Sequence, residues 1–125
     1  MLGDVNLGAE QYLSVTTYRK DGTPVATPVW VVQDGDAVAI WTTAGSGKVK
    51  RIRNNPDVRV AGCDVRGKVS TEPVRGRAEI LDAAETARVR GLLRRKYGVM
   101  GRLVLLGSRL RRGDAGTVAV RITAV

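Results

Sequence analysis

Trp41-Thr42-Thr43-Ala44-Gly45-Ser46-Gly47-Lys48-Val49-Lys50-Arg51-Ile52-Arg53-Asn54-Asn55-Pro56 is the stretch on which the reading of this chain turns. Trp41 to Thr43 ends a β-strand, a Gly/Ser turn follows, and a short basic helix runs to an Asn-Asn-Pro stop. Ser46 is the expected N-cap, because a serine hydroxyl accepts from the orphan amides of a helix start. Val49 and Ile52, spaced i,i+3, should pack down while the cations face out. A Gly-rich turn lets backbone N–H groups approach an anion, and the helix start adds the positive end of its dipole. Lys48, Lys50, Arg51 and Arg53 put four cations within six residues. That pattern suits a phosphate.

Towards the N-terminus the chain reads as strands. Residues 12–19 are rich in β-branched and aromatic types, and Lys20-Asp21-Gly22-Thr23 is a hairpin turn. A run from Pro24 to Val32 leads to a second turn at Asp34-Gly35, then to a strand from Ala37 to Thr43. Asp-Gly between apolar runs is a strong hairpin signal. The first 43 residues are therefore a three-stranded meander. Its apolar runs are near-continuous, as expected when core or a partner covers both faces.

Towards the C-terminus, Asp57 to Cys63 resumes a strand and Asp64-Val65-Arg66-Gly67 turns it. Val69 to Leu81 reads as a long strand with Val74, Gly76, Ala78 and Ile80 on one face, and Arg75, Arg77 and Glu79 on the other. Pro73 within it marks an edge or bulge. Asp82-Ala83-Ala84-Glu85 resembles a capping box and opens a helix with Val89, Leu92, Leu93 and Tyr97, closed by Gly98. A second short helix or loop follows from about Met100 to Arg112, with Leu103, Leu106 and Leu110 on one face. A final strand, Thr117 to Val125, can close a sheet. The expected fold is one α+β domain over residues 1–125, built on a small antiparallel barrel of about six strands with short helices.

Composition limits the chemistry. The 125 residues are 43% apolar and 26% charged, which fits one globular domain. No apolar run approaches ~18 residues, and the N-terminus lacks a signal-peptide pattern, so no membrane association and a cytoplasmic location are expected. Cys63 stands alone and suits a reducing compartment; it reads as a small strand-end hydrophobe. Histidine is absent, which removes Ser-His and Cys-His machinery and any His-based metal site, so no metal is expected. An enzyme of this composition relies on a cofactor or on binding and electrostatics. Lys and Arg total 21 against 12 acidic residues, a net charge of +9, so anionic partners are favoured.

The order of Asp21-Gly22-Thr23-Pro24, Val25-Ala26-Thr27-Pro28-Val29-Trp30, Trp41-Thr42-Thr43, Gly45-Ser46-Gly47-Lys48, helix, and Asn54-Asn55-Pro56-Asp57-Val58-Arg59-Val60 resembles the pyridoxamine 5'-phosphate oxidase-like split β-barrel flavoproteins. Within them it is most similar to the actinobacterial flavin/deazaflavin oxidoreductases that use coenzyme F420. Lys96-Tyr97-Gly98, Gly101-Arg102-Leu103 and Ser108-Arg109-Leu110-Arg111-Arg112 carry the same likeness, which spans about residue 10 to 125. The resemblance implies a homodimer with the cofactor in a groove at the subunit interface. It places Thr27, Pro28, Val29 and Trp30 beside the ring system, and Trp41, Thr42, Thr43, Ser46 and Gly47 around the phosphate end. Lys48 matches the family's phosphate-binding lysine. At about 100° per residue, Arg51 lies near Lys48 while Lys50 and Arg53 diverge, so Arg51 is the favoured second cation.

F420 ends in a phosphodiester and a polyglutamate tail, and a basic groove suits it. The oxidase branch holds FMN with an Arg and a Lys on the preceding strand, where this chain has Thr27 and Val32. That departure favours the deazaflavin over FMN. The expected activity is hydride transfer between reduced F420 and an unidentified small organic substrate. No catalytic residue is assigned; solvent or a side chain such as Tyr18 could supply the proton. Two alternatives stand beside this. One is an FMN-binding oxidase-like, haem-binding or non-catalytic cofactor-binding protein on the same fold, with haem disfavoured by the lack of histidine. The other is a basic nucleic-acid-binding barrel, disfavoured by a total of five aromatic residues.

Overall fold

The computed structural model describes residues 7–98 in full, 99–112 by their backbone, and 116–125 in full. Six strands carry the fold: β1 (Tyr12–Tyr18), β2 (Pro24–Asp34), β3 (Ala37–Thr43), β4 (Asp57–Cys63), β5 (Val74–Ile80) and β6 (Thr117–Ala124). Helix α1 (Gly47–Asn54) follows β3, and α2 (Ala83–Arg112) joins β5 to β6. Every strand pair is antiparallel, in the closed order β1-β2-β3-β6-β5-β4, with β4 returning to β1. The hairpins turn at Gly22 and Gly35, both at positive φ, as the Asp-Gly pairs imply.

Alternation along the strands sorts the apolar residues into two cores. Leu13, Val15, Val31, Val38, Ile40, Val58, Val60, Val120 and Ile122 fill the barrel, and Ile52 of α1 closes one end of it. On the outer face, Val32, Ala39 and Ala119 are covered by Leu81 and by Val89 and Leu93 of α2. Burying Val89 and Leu93 removes both side chains from water, at roughly 1.5–3 kcal/mol each. The near-continuous apolar run of β3 follows from this geometry. Val38 and Ile40 point into the barrel, while Ala39 lies under the helix.

Two local expectations are corrected. The strand expected from Val69 begins only at Val74, because Pro73 has no amide to donate to a ladder. Before it, Val69 makes an isolated bridge to Cys63, and the Gly62 amide donates to Thr71 Oγ1 at 2.8 Å. The capping box is formed on one side. The Glu85 amide donates to Asp82 Oδ1 at 2.8 Å, but the Glu85 carboxylate accepts from Arg88 and Arg121 instead of the Asp82 amide. Gly98 breaks α2 at φ 62 and ψ −141, as its closing role implies, and the backbone then resumes as helix to Arg112. The face formed by Leu103, Leu106 and Leu110 lies outside the described side chains, as does the Arg-rich segment 102–112.

Candidate functional site

The turn after β3 is tied at both ends. The Ser46 amide donates to the Thr43 carbonyl at 3.1 Å, and Ser46 Oγ accepts from the Val49 amide at 3.3 Å. Ser46 is therefore the N-cap, with extended backbone, and α1 starts at Gly47. From that start Val49 and Ile52 seat against the barrel. Their seating draws the flanking cations in with them. Lys48 is 9% exposed, so the expectation that all four cations face out is corrected; only Lys50 and Arg53 do so fully.

Lys48 Nζ donates to Thr42 Oγ1 at 3.4 Å, beyond the usual range of a strong hydrogen bond. Arg51 Nε donates to the buried Thr17 Oγ1 at 2.7 Å. Thr17 and Thr42 extend the inward-facing series Leu13, Val15 and Val38, Ile40, so both hydroxyls lie at the barrel's end. A Cβ on residue 47 would stand 2.7 Å from an Arg51 guanidinium nitrogen, so Gly47 makes room for that side chain. Among the described residues, neither Lys48 nor Arg51 has a carboxylate within ion-pair distance. Burial lowers the Lys48 ammonium to about 8, and the nearby Arg51 charge adds to the shift. A buried cation without a counter-ion is costly unless an anion joins it.

A second feature lies on the outer face of β1, β2 and β3. Tyr12, Pro28, Val29, Trp30 and Trp41 line a cleft of about 310 Å³. Trp30 stacks on Tyr97 of α2 with ring centroids 4.2 Å apart and planes 10° from parallel. The Tyr97 hydroxyl donates to the Gln11 carbonyl at 2.6 Å and accepts from the Val31 amide at 3.2 Å. Next to it, Lys96 Nζ donates to the carbonyls of Gly8 at 2.8 Å and Val31 at 2.6 Å, and also to that of Glu10. Burial lowers the Lys96 ammonium, and the Glu10 charge opposes the shift. Two buried polar atoms have no partner among the described residues: Trp41 Nε1 and Thr27 Oγ1. An indole N–H in that state is a donor waiting for an acceptor.

The sequence-predicted residues thus fall into two groups. Thr42, Ser46, Gly47, Lys48 and Arg51 gather at the barrel end; Pro28, Val29, Trp30 and Trp41 gather at the cleft. Trp41 and Thr42 are consecutive on β3 and point to opposite faces, so the groups meet only at the strand's end. Thr43 pairs with Thr117 of β6 there. Thr27 sits opposite Val15, outside both groups. Trp30 and Trp41 are half-buried against the outer core while lining the cleft.

Thr17, Tyr12 and Tyr97 were not among the expected site residues. Tyr12 was legible, because counting the hairpin back from Asp21-Gly22 sets it opposite Trp30. Tyr97 and Thr17 depend on α2 and α1 docking, which no local pattern encodes. Among the described residues, no group of three His, Cys, Asp or Glu could hold a metal, and no helix is long and apolar enough to cross a membrane.

Solved structures share this architecture at low identity. An F420 reductase is 22% identical with a TM-score of 0.66, covering 95% of this chain and 90% of its own. A conserved hypothetical protein from Mycobacterium tuberculosis is 21% identical with a TM-score of 0.72, covering 98% and 79%. The heme storage protein of Vibrio cholerae is 11% identical with a TM-score of 0.68, covering 98% and 89%. Among curated proteins none matches the sequence. The sequence profile of pyridoxamine 5'-phosphate oxidase matches residues 6–125, which span all six strands and both helices. The chain belongs to the pyridoxamine 5'-phosphate oxidase family.

Proposed function

We propose that the protein is an F420-dependent oxidoreductase, transferring a hydride between the reduced deazaflavin and a small organic substrate, and that it works as a homodimer with the cofactor at the subunit interface. The observation that carries this reading is Lys48: a buried ammonium beside Arg51, with one long hydrogen bond and, among the described residues, no carboxylate within ion-pair distance. A phosphodiester would give both cations the counter-charge they lack. The cleft of Tyr12, Pro28, Trp30 and Trp41 would take the flat ring system, with Trp41 Nε1 donating to an acceptor on the ring edge. One extended ligand crossing the end of β3 would reach both groups.

When bound, the deazaflavin supplies the hydride chemistry. The chain's own residues hold the phosphate, offer an aromatic wall, and exclude water from one side of the ring. Thr27 and Val32, in place of an Arg and a Lys, support the deazaflavin over FMN. The F420 reductase among the structural neighbours supports the same reading.

Titrating the purified protein with F420, with FMN as competitor and cofactor fluorescence as readout, tests it. Saturable F420 binding that FMN does not displace, weakened in Lys48→Ala, is the expected result. Preference for FMN moves the protein to the oxidase branch. A sedimentation profile showing a monomer at micromolar concentration overturns the interfacial site.

A further inference from the structure

A cavity of about 370 Å³ lies between the first turns of α2, the start of β6 and the turn after β3. It shares no lining residue with the tryptophan cleft. Ala44, Leu81, Ala83, Ala87 and Val118 give it an apolar wall. Three polar side chains in that wall have donors to spare. Thr86 and Thr117 are buried, at 4% and 8% exposure. Thr86 Oγ1 accepts from the Ala119 amide at 3.1 Å, and Thr117 Oγ1 accepts from Arg90 Nη2 at 3.5 Å. Neither hydroxyl proton has an acceptor among the described residues. The half-buried Arg90 guanidinium makes only that one bond, beyond the usual range, and has no carboxylate within ion-pair distance among the described residues. Buried donors in that state call for an acceptor.

From this arrangement we propose that the cavity binds a small carboxylic acid with an apolar body. A carboxylate is the acceptor that a guanidinium fork matches two bonds at a time, and its lone pairs also suit the two hydroxyl donors. The alanine, leucine and valine wall takes the rest of the molecule. A dry cavity of roughly 150 Å³ already admits benzene. A volume of about 370 Å³ therefore has room for one ring and a short chain. Asp82 is the one acid among the described lining residues, and its Oδ1 already accepts the Glu85 amide. It precedes the first residue of α2, whereas Arg90 comes seven residues after Ala83, about 10 Å along the axis. The ligand's charge is held at the Arg90 end, clear of Asp82. An inorganic anion would leave the apolar wall unused. The site does not rest on the function proposed above.

The purified chain is titrated with phenylbutyrate by isothermal calorimetry. Acetate keeps only the charge of that probe, and phenylbutanol only its body. Saturable phenylbutyrate binding is expected, with acetate and phenylbutanol at least tenfold weaker. Arg90→Gln should weaken phenylbutyrate at least tenfold, the scale of a lost charge-assisted bond. Arg94→Gln, exposed on α2, removes the same charge elsewhere and should leave binding intact. Ala87→Leu fills the cavity without touching any charge, and should also weaken binding at least tenfold. Ala87 is exposed on α2 and leucine is a good helix former, so this variant keeps the test alive if Arg90→Gln fails to fold. Phenylbutyrate should raise the thermal unfolding midpoint of the wild type and of Arg94→Gln, and not that of Arg90→Gln. No saturable binding, phenylbutanol binding as tightly as phenylbutyrate, or unchanged affinity in Arg90→Gln overturns the inference. Binding lost in Lys48→Ala and kept in Arg90→Gln also overturns it, because the carboxylate would then sit at the barrel end.

Discussion

Two clusters of cations in this barrel differ in company. Beneath α2, Arg88 forks across the Asp34 carboxylate with both bonds at 3.0 Å, and reaches Glu85 at 2.7 Å. Arg121 ties Asp34, Glu79 and Glu85 into the same network. At the barrel end, Lys48 and Arg51 have threonine hydroxyls and, among the described residues, no acid within ion-pair distance. The first cluster is complete as it stands and holds α2 to β2 and β6. The second keeps a positive charge largely out of water with no counter-ion among the described residues, an arrangement typical of binding sites. Counting basic residues could not have separated the two; partner geometry does.

The comparison is broken most directly at Lys48. Lys48→Met keeps the stem and removes the charge, so the folded state should become more stable while the site loses its anion. Loss of one charge-assisted bond weakens deazaflavin binding by ~1.5–3 kcal/mol, roughly ten- to a hundredfold. Denaturant unfolding and the F420 titration read the two effects separately. Lower stability with unchanged affinity would place Lys48 with the structural cations.

Asp34 is the matching test on the other side. Asp34→Asn leaves Arg88 and Arg121 without their shared carboxylate and should cost about 1–2 kcal/mol of stability, with cofactor affinity unchanged. Acidity and alkalinity should then act on opposite clusters. The Arg88 guanidinium holds the Asp34 carboxyl below its ordinary 3.8, with Arg121 helping. The stability this contributes is present above pH 3.8 and is lost as pH falls through the lower folded value. Lys48, lowered to about 8 from 10.5, works the other way. Between those values the unfolded chain keeps a proton that the folded chain has released, so stability rises with pH from about 8 towards 10.5. A bound anion should restore the proton and flatten that rise, whereas Lys48→Met should abolish it.

Most of the fold was written in local patterns. The Asp-Gly turns, the Ser46 and Asp82 caps and the Gly98 break each act over a few residues and read correctly from sequence. Val69 to Pro73 did not: Pro73 marks an edge or bulge in the sequence, but the β-like run before it hides that the ladder starts only at Val74. The site was half legible. The phosphate-suited turn and its lysine stand in one stretch, but Thr17 and Tyr97 join through contacts spanning 34 and 66 residues. The burial of Lys48 had the same origin: spacing shows which side of α1 packs, and only the docked helix shows how far the flanking cations are drawn in.

The smallest effects sharpen the contrast at the helix starts. Ser46 and Asp82 each accept from an amide three residues ahead, at 3.3 Å and 2.8 Å, so removing either acceptor orphans one donor. Ser46→Ala and Asp82→Ala should therefore each cost about 1 kcal/mol of stability. Their effects on binding should differ. Ser46 sets where α1 begins, and with it the height of Lys48 against Thr42; fraying that turn should weaken deazaflavin binding severalfold. Asp82 opens the helix that carries Arg88, which is already paired with Asp34 and Glu85, so its loss should leave affinity intact. The two sites share no partner, and the double variant should lose the sum of the single costs to within ~0.5 kcal/mol. Equal effects on affinity would mean that the barrel end answers to global stability alone, and the distinction between a paired and an unpaired cluster would lose its functional content.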